Sequence, residues 1–288
     1  MSILLTIVAL MMVMTCFAAN SVITRYLVSG NYISPLILVA IRFASGFLML
    51  QLLVSLMPKT FQKTRIRGWD ILGALFLGIY AFSISYGYVF ISAAAGVLIF
   101  YTFVVITMTS FSVINDREKL TIRLILGQLL GLFGVLVITF SGISSVTLTG
   151  ACLMAITGTS WGMYSVYSRR FKDSFSYTYN TFLIFGIAAS TLLLATYSLG
   201  VGYLTISISS LWWALYLGMI STALSYALWH KVMKKIKASQ GGITQLLVPV
   251  LTSLMGILIL REEVTSPLIL GGILILAGIS LNLTQDLG

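Results

Sequence analysis

The sequence predicts an all-α integral membrane protein of ten transmembrane helices, built as two inverted five-helix repeats over 1–144 and 145–288. Three observations predict it. Hydrophobic residues make up 59% of the chain and charged residues 8%, with a mean hydropathy of +1.05, a balance that a water-covered surface does not tolerate. The apolar residues come in stretches of about 20, the length that crosses roughly 30 Å of hydrocarbon at 1.5 Å per residue. The chain also repeats itself. Adding 144 carries Phe17 onto Trp161, Val22 onto Val166, Arg25 onto Arg169, Trp69 onto Trp213, Glu118 onto Glu262, Thr121 onto Thr265, Gly127 onto Gly271 and Gly134 onto Gly278. An offset of 140 relates Leu75, Leu77, Gly78, Ser85 and Tyr86 to Leu215, Leu217, Gly218, Ser225 and Tyr226, which places a four-residue insertion within Lys231 to Lys237.

In chain order the spans fall near 3–27, 34–57, 69–91, 93–114 and 122–141, then 149–169, 177–199, 210–231, 239–260 and 266–284. Each is continuously apolar, whereas barrel strands alternate over about ten residues, so helices are expected. The first opens on Met-Ser-Ile-Leu-Leu-Thr without a basic leader or a clean small-residue cleavage site, and reads as a retained span. The fourth has Val105 where the ninth has Pro249, so the fourth is expected to be the straighter. The fifth carries Gly127, Gly131 and Gly134 on one face, and the tenth carries Gly271, Gly272 and Gly278. Small residues on a helix face permit close contact, here within one chain rather than at a dimer seam, so a monomer is favoured over a homodimer. Little chain remains for a soluble domain.

Orientation follows the basic residues. The loops holding Lys59, Lys63, Arg65 and Arg67, then Arg117, Lys119 and Arg123, then Arg169, Arg170 and Lys172, then Lys231, Lys234, Lys235 and Lys237 alternate with nearly uncharged ones. Short basic loops stay on the cytoplasmic side, which places both termini in the cytoplasm of a multi-pass protein of a bacterial inner membrane. Five spans per half then invert the second half, as expected of an alternating-access carrier.

The net charge of +10 is scattered over these loops without a groove, an aromatic platform or a zinc motif, so nucleic acid is not an expected partner. The lipid bilayer and a small-molecule substrate are. The spans hold no paired carboxylates, no Ser/His/Asp grouping, no HExxH and no phosphate loop, so neither an enzyme nor a cofactor or metal is expected. Cys16 and Cys152 read as free, buried thiols. His230, the single histidine, is expected at the interface beside Lys231, with a proton relay as the alternative.

Phe17 to Tyr26 (FAANSVITRY), Pro35 with Arg42 seven residues on, Glu118-Lys-Leu-Thr121 before Gly127, and Pro249-Val250 before Glu262 to Thr265 and Gly271-Gly272 together resemble the EamA-type carriers of the drug/metabolite transporter superfamily. The resemblance covers almost the whole chain. It implies ten helices in two inverted repeats and export or exchange of small metabolites, often amino acids. Small multidrug exporters of that superfamily carry a glutamate in their first helix. Met1 to Val28 contains no acid, which disfavours cation antiport by that mechanism and suits a facilitator or exchanger.

Arg42 is the one charge well inside a span, and an unpaired guanidinium there costs about 2.5 kcal/mol or more. It attracts a substrate carboxylate, or it caps backbone carbonyls or snorkels to the interface. Asp70, Asp116, Glu118, Asp173, Glu262, Glu263 and Asp286 lie at helix ends or in loops, where Glu118 and Glu262 close helix ends beside basic neighbours. The repeat pairs Asn20 with Tyr164, Tyr86 with Tyr226 and Tyr101 with Gln245 at similar depths on opposite halves. Such polar and aromatic groups line a central substrate cavity, or they bond helix to helix in a dry interface. Trp161, whose equivalent is Phe17, joins them as a candidate that packing alone also explains. The expected function is export or exchange of small amphipathic metabolites, amino acids with aromatic or hydrophobic side chains among them. The alternatives are a nucleoside-like or nucleotide-linked substrate, and a receptor or scaffold without transport.

Overall fold

The computed structural model describes residues 3–56, 65–140, 146–171, 173–198, 206–260 and 265–283. Lys59, Lys63, Lys172, Arg261 to Glu263 and Asp286 lie outside them. Among the described residues the regular structure is helical, with one isolated antiparallel bridge, Ile91 to Val146. The helices are α1 (Ile3–Ser29), α2 (Pro35–Leu56), α3 (Gly68–Phe90), α4 (Ala93–Asn115), α5 (Ile122–Thr139), α6 (Leu148–Tyr167), α7 (Ser174–Ser198), α8 (Ile208–Met233), α9 (Ala238–Thr244), α10 (Leu247–Leu260) and α11 (Ser266–Leu283). Six of them, α1 to α5 and α8, are long and apolar enough to cross a membrane. Their outward faces carry Leu4, Leu48, Leu75, Ile106, Leu129 and Trp212, all exposed, which suits contact with lipid rather than water.

Local chemistry sets the helix ends. Ser92, Thr121, Thr147 and Ser207 cap α4, α5, α6 and α8, each accepting a backbone amide three residues on at 3.1–3.4 Å. Asp70 does the reverse at α3, taking the Arg67 amide at 2.8 Å. The expected ninth span is two helices, α9 and α10, joined through Gln245 and Leu246. Pro249 has no amide to give the Gln245 carbonyl, and its ring crowds that carbonyl, so Val248 bonds it instead at 3.0 Å. With Val105 at the matching place, α4 runs unbroken. Within α8, Leu217–Leu224 winds as a π-helix.

α3 and α4 pack on α6, and α2 packs on α7 and the π segment, so the two halves of the chain interlock along their length. The glycine faces of α5 and α11 meet within the chain. A Cβ added at Gly127 would lie 2.8 Å from the Gly278 carbonyl, and one at Gly134 would lie 2.6 Å from that of Gly271, so the two backbones touch.

The basic loops gather at one end. Arg169 pairs with Asp116, Lys237 lies 3.7 Å from Glu118, Lys234 donates to the Phe171 carbonyl, and Arg170 stands 4.7 Å over the Trp69 ring. Partial burial pushes the Lys234 ammonium below its ordinary range, with Asp173 pulling the other way. At the opposite end Arg25 donates to the carbonyls of Tyr88 (2.7 Å) and Ile91 (2.9 Å), and Thr147 to that of Phe90 (2.8 Å).

Candidate functional site

Buried polar and aromatic side chains from both halves converge between the two ends. α1 supplies Phe17, Asn20 and Ser21, α3 Tyr80 and Ile84, α4 Phe100 and Tyr101, α6 Trp161, α8 Tyr226, and the break between α9 and α10 supplies Gln245. They enclose a cavity of about 10 Å³, room for about one water. Trp161 is its hub. Its ring lies 4.6 Å from Tyr226, 5.1 Å from Tyr80 and 5.2 Å from Phe17, the last edge to face.

The helix break positions Gln245. Its backbone amide bonds Gly242 rather than Gly241, and the side-chain amide takes the freed Gly241 carbonyl at 3.2 Å. Its second contact is the Met108 sulfur at 3.3 Å, and its oxygen accepts the Trp161 indole at 2.7 Å. Trp161→Phe keeps an aromatic ring and orphans that buried oxygen, so a loss of about 1–3 kcal/mol is expected. It would be read as a lower melting temperature in detergent, with a smaller loss when Gln245→Leu is added.

Beside this aromatic box, α2 and α8 hold the buried cation. Gly218 faces the Arg42 carbonyl so closely that no side chain fits, which brings α2 onto the π segment. Arg42 then donates through Nε to Thr222 at 2.7 Å and through a terminal nitrogen to the Tyr226 hydroxyl at 2.9 Å. Tyr226 passes the bond to Tyr80 at 3.1 Å, and Asn20 also donates to Thr222, at 3.4 Å. The other terminal nitrogen of Arg42 is buried without a hydrogen-bond partner, and the ion pairs among the described residues leave Arg42 without a carboxylate. The guanidinium neither snorkels nor caps carbonyls. It is a charge held by hydroxyls, with donor capacity to spare.

Seven of the eight sequence candidates meet here or directly behind: Asn20, Arg42, Tyr101, Trp161, Tyr226 and Gln245 as described, and Tyr164 with its ring 5.9 Å from Trp161 and its hydroxyl 3.0 Å from Thr181. Tyr86 does not. It is 38% exposed on the perimeter of α3, and Tyr80 takes the inward place. Its repeat partner Tyr226 follows the π segment, whose wider turns re-phase the rest of α8, while α3 is a regular helix, so equal sequence positions face different ways.

Tyr80 and Thr222 escaped the sequence reading. Thr222 had a usable signal, since Gly218, Thr222 and Tyr226 recur every four residues along one helix face. His230 is a correction. It is fully buried, not interfacial, with its ring 4.8 Å from Tyr164 and 5.2 Å from Tyr177 and Nδ1 2.8 Å from Thr178. Helices α6 and α7 cover it although lysines follow it in sequence. The two cysteines are a further correction, since Cys16 is half-buried and Cys152 exposed on the apolar perimeter of α6.

The model of the EamA-like transporter family matches residues 4–140 and again 148–284. An uncharacterized protein of Pseudomonas aeruginosa is 34% identical over 287 residues, covering 100% of this chain and 96% of its own length. The uncharacterized transporter YoaV of Bacillus subtilis is 28% identical over 257 residues, 87% of each chain. A solved structure titled only as a crystal structure of a protein superposes with a TM-score of 0.76 at 20% identity, over 95% of this chain and 96% of that one, a likeness of fold alone.

Proposed function

We propose, for a chain that belongs to the EamA-like transporter family and is a multi-pass membrane transporter, that it exports or exchanges small amphipathic metabolites bearing a carboxylate, foremost amino acids with hydrophobic or aromatic side chains. The observation that carries this reading is Arg42, a buried cation without a carboxylate partner and with one free donor nitrogen, set behind a box of aromatic rings. A substrate carboxylate complements the charge, and the rings of Phe17, Trp161 and Tyr226 accept an apolar side chain. Among the described residues Arg42 is the one cation beside the chamber, which suits a single carboxylate better than a multiply charged phosphate.

In this reading the chain crosses a bacterial inner membrane ten times, with α9 and α10 forming one span and the basic end facing the cytoplasm with both termini. The halves 1–144 and 145–288 are inverted repeats that alternate access to the chamber between them. The contracted cavity is then an occluded stage, and a substrate enters when the halves part at one end.

Counterflow of a panel of labelled amino acids and nucleosides into proteoliposomes tests the proposal. Accumulation of hydrophobic or aromatic amino acids is expected. Accumulation of nucleosides alone would replace the substrate class, and no response to any compound by folded protein would favour a receptor or scaffold.

A further inference from the structure

α4 ends in a backbone turn that an ordinary residue resists. Arg117 has a φ of 54°, in the left-handed region where a non-glycine residue is uncommon, and this turn sends the Glu118 amide back to the Ser112 carbonyl at 3.1 Å. The result is to drive the Glu118 side chain inward until it is only 4% exposed. There it accepts the hydroxyl of Ser112 at 2.6 Å and that of Ser239 at 2.6 Å, with the Lys237 ammonium at 3.7 Å. Ser112 is on α4 in the first half, while Ser239 is on α9 and Lys237 just ahead of it in the second. One carboxylate therefore ties the halves together, and the Asp116 to Arg169 pair ties the same loop to the end of α6. All of these contacts are at the basic end.

The repeat makes the comparison with the other end concrete. Glu118 has a counterpart in sequence, Glu262, which lies outside the described residues. Its partners do not. An offset of 144 puts Gly256 in the place of Ser112, Ala95 in the place of Ser239 and Ala93 in the place of Lys237. A slip of one residue either way meets Ala94 or Gly96 instead of Ser239, neither of which carries a hydroxyl.

We infer that Glu118 is the bolt of a latch that closes the carrier at its basic end, a carboxylate tie between the halves that the described residues of the opposite end do not repeat, so that the resting protein opens away from the basic loops. This rests on the carrier reading above. A charge-assisted hydrogen bond in a buried site is strong enough to move a two-state equilibrium by a factor of ten or so. A charge-assisted latch at one end, against the neutral Thr147 to Phe90 hydrogen bond at the other, makes the two access states unequal without any substrate, which gives an otherwise symmetric repeat a preferred resting state.

The test is a distance measurement between spin labels on cysteines placed at Ile114 and Lys235, exposed positions beside the latch on opposite halves, in a Cys16→Ala, Cys152→Ala background in nanodiscs. A predominantly short distance is expected with Glu118 intact. Glu118→Gln is expected to raise the ratio of long to short distances about tenfold, and Ser239→Ala to raise it less, in the same direction. If Glu118→Gln does not fold, Ser239→Ala decides alone. Unchanged distances in folded variants would overturn the latch, whether or not the melting temperature falls, and leave Glu118 a staple of its loop. The measurement needs no substrate. Shifted distances with a silent counterflow panel would keep the latch and sink the substrate class, while active counterflow with unmoved distances would do the opposite.

Discussion

Arg42→Lys is expected to cut transport of carboxylate-bearing substrates by at least about tenfold, read as the concentration for half-maximal counterflow, while the protein still folds. The guanidinium reaches Thr222 and Tyr226 at once, from Nε and a terminal nitrogen, and keeps the other terminal nitrogen free. A lysine ammonium is a single point at the end of a flexible stem. It can bond Thr222 or Tyr226, and a carboxylate must then compete for the same nitrogen. The amide derivative of the same amino acid separates the readings, since it has the side chain without the charge. Loss for the acid with little change for the amide assigns the guanidinium to the carboxylate. Equal loss for both would mean that Arg42 braces α2 against α8 and does not touch substrate.

The second large effect is on stability. Gly134→Leu puts a Cβ 2.6 Å from the Gly271 carbonyl and 2.8 Å from the Ile275 side chain, where the obstacle is backbone and cannot rotate away. α5 and α11 must separate, and with them the contacts along the whole glycine seam. Overpacking of this kind costs about 1–3 kcal/mol or more, expected as a marked fall in melting temperature and yield. Gly68→Ala is the control, because a Cβ there meets nothing within 4 Å and the melting temperature is expected to hold.

That seam was legible in the sequence, and so was a fourth span straighter than the ninth, because each depends on a residue's own backbone or size; the division of the ninth into two helices was not. Arg42 was legible for a related reason. A charge inside an apolar span has few places to go, and the hydroxyls of Thr222 and Tyr226 hold this one inside the bundle. The orientation of side chains was less so. Pairing Tyr86 with Tyr226 by repeat offset assumed that both helices keep the same phase, and eight residues of π-helix in α8 break that assumption. Nothing in Leu217 to Leu224 announces such winding locally; it accompanies the close approach of Gly218 to α2. His230 was misplaced because its neighbours in sequence are lysines, while the rings that bury it come from Tyr164 and Tyr177. The partner of Glu118 was hidden more completely, since Ser239 is 121 residues away and only the fold brings the two together.

The central claim is that the Trp161 and Tyr226 box is the substrate path, and Ser21 gives access to it. Ser21 lines the chamber from α1, where it donates to the Phe17 carbonyl at 3.2 Å and stands beside the Tyr88 and Tyr101 hydroxyls, so Ser21→Cys in the Cys16→Ala, Cys152→Ala background adds one small thiol to the wall. The measurement is counterflow of a labelled hydrophobic amino acid before and after treatment with a membrane-impermeant thiol reagent, with and without saturating unlabelled substrate. The account predicts that modification stops counterflow and that substrate slows the modification severalfold. A thiol that reacts fully while counterflow continues unchanged, or reacts at the same rate with substrate present, would place the path elsewhere.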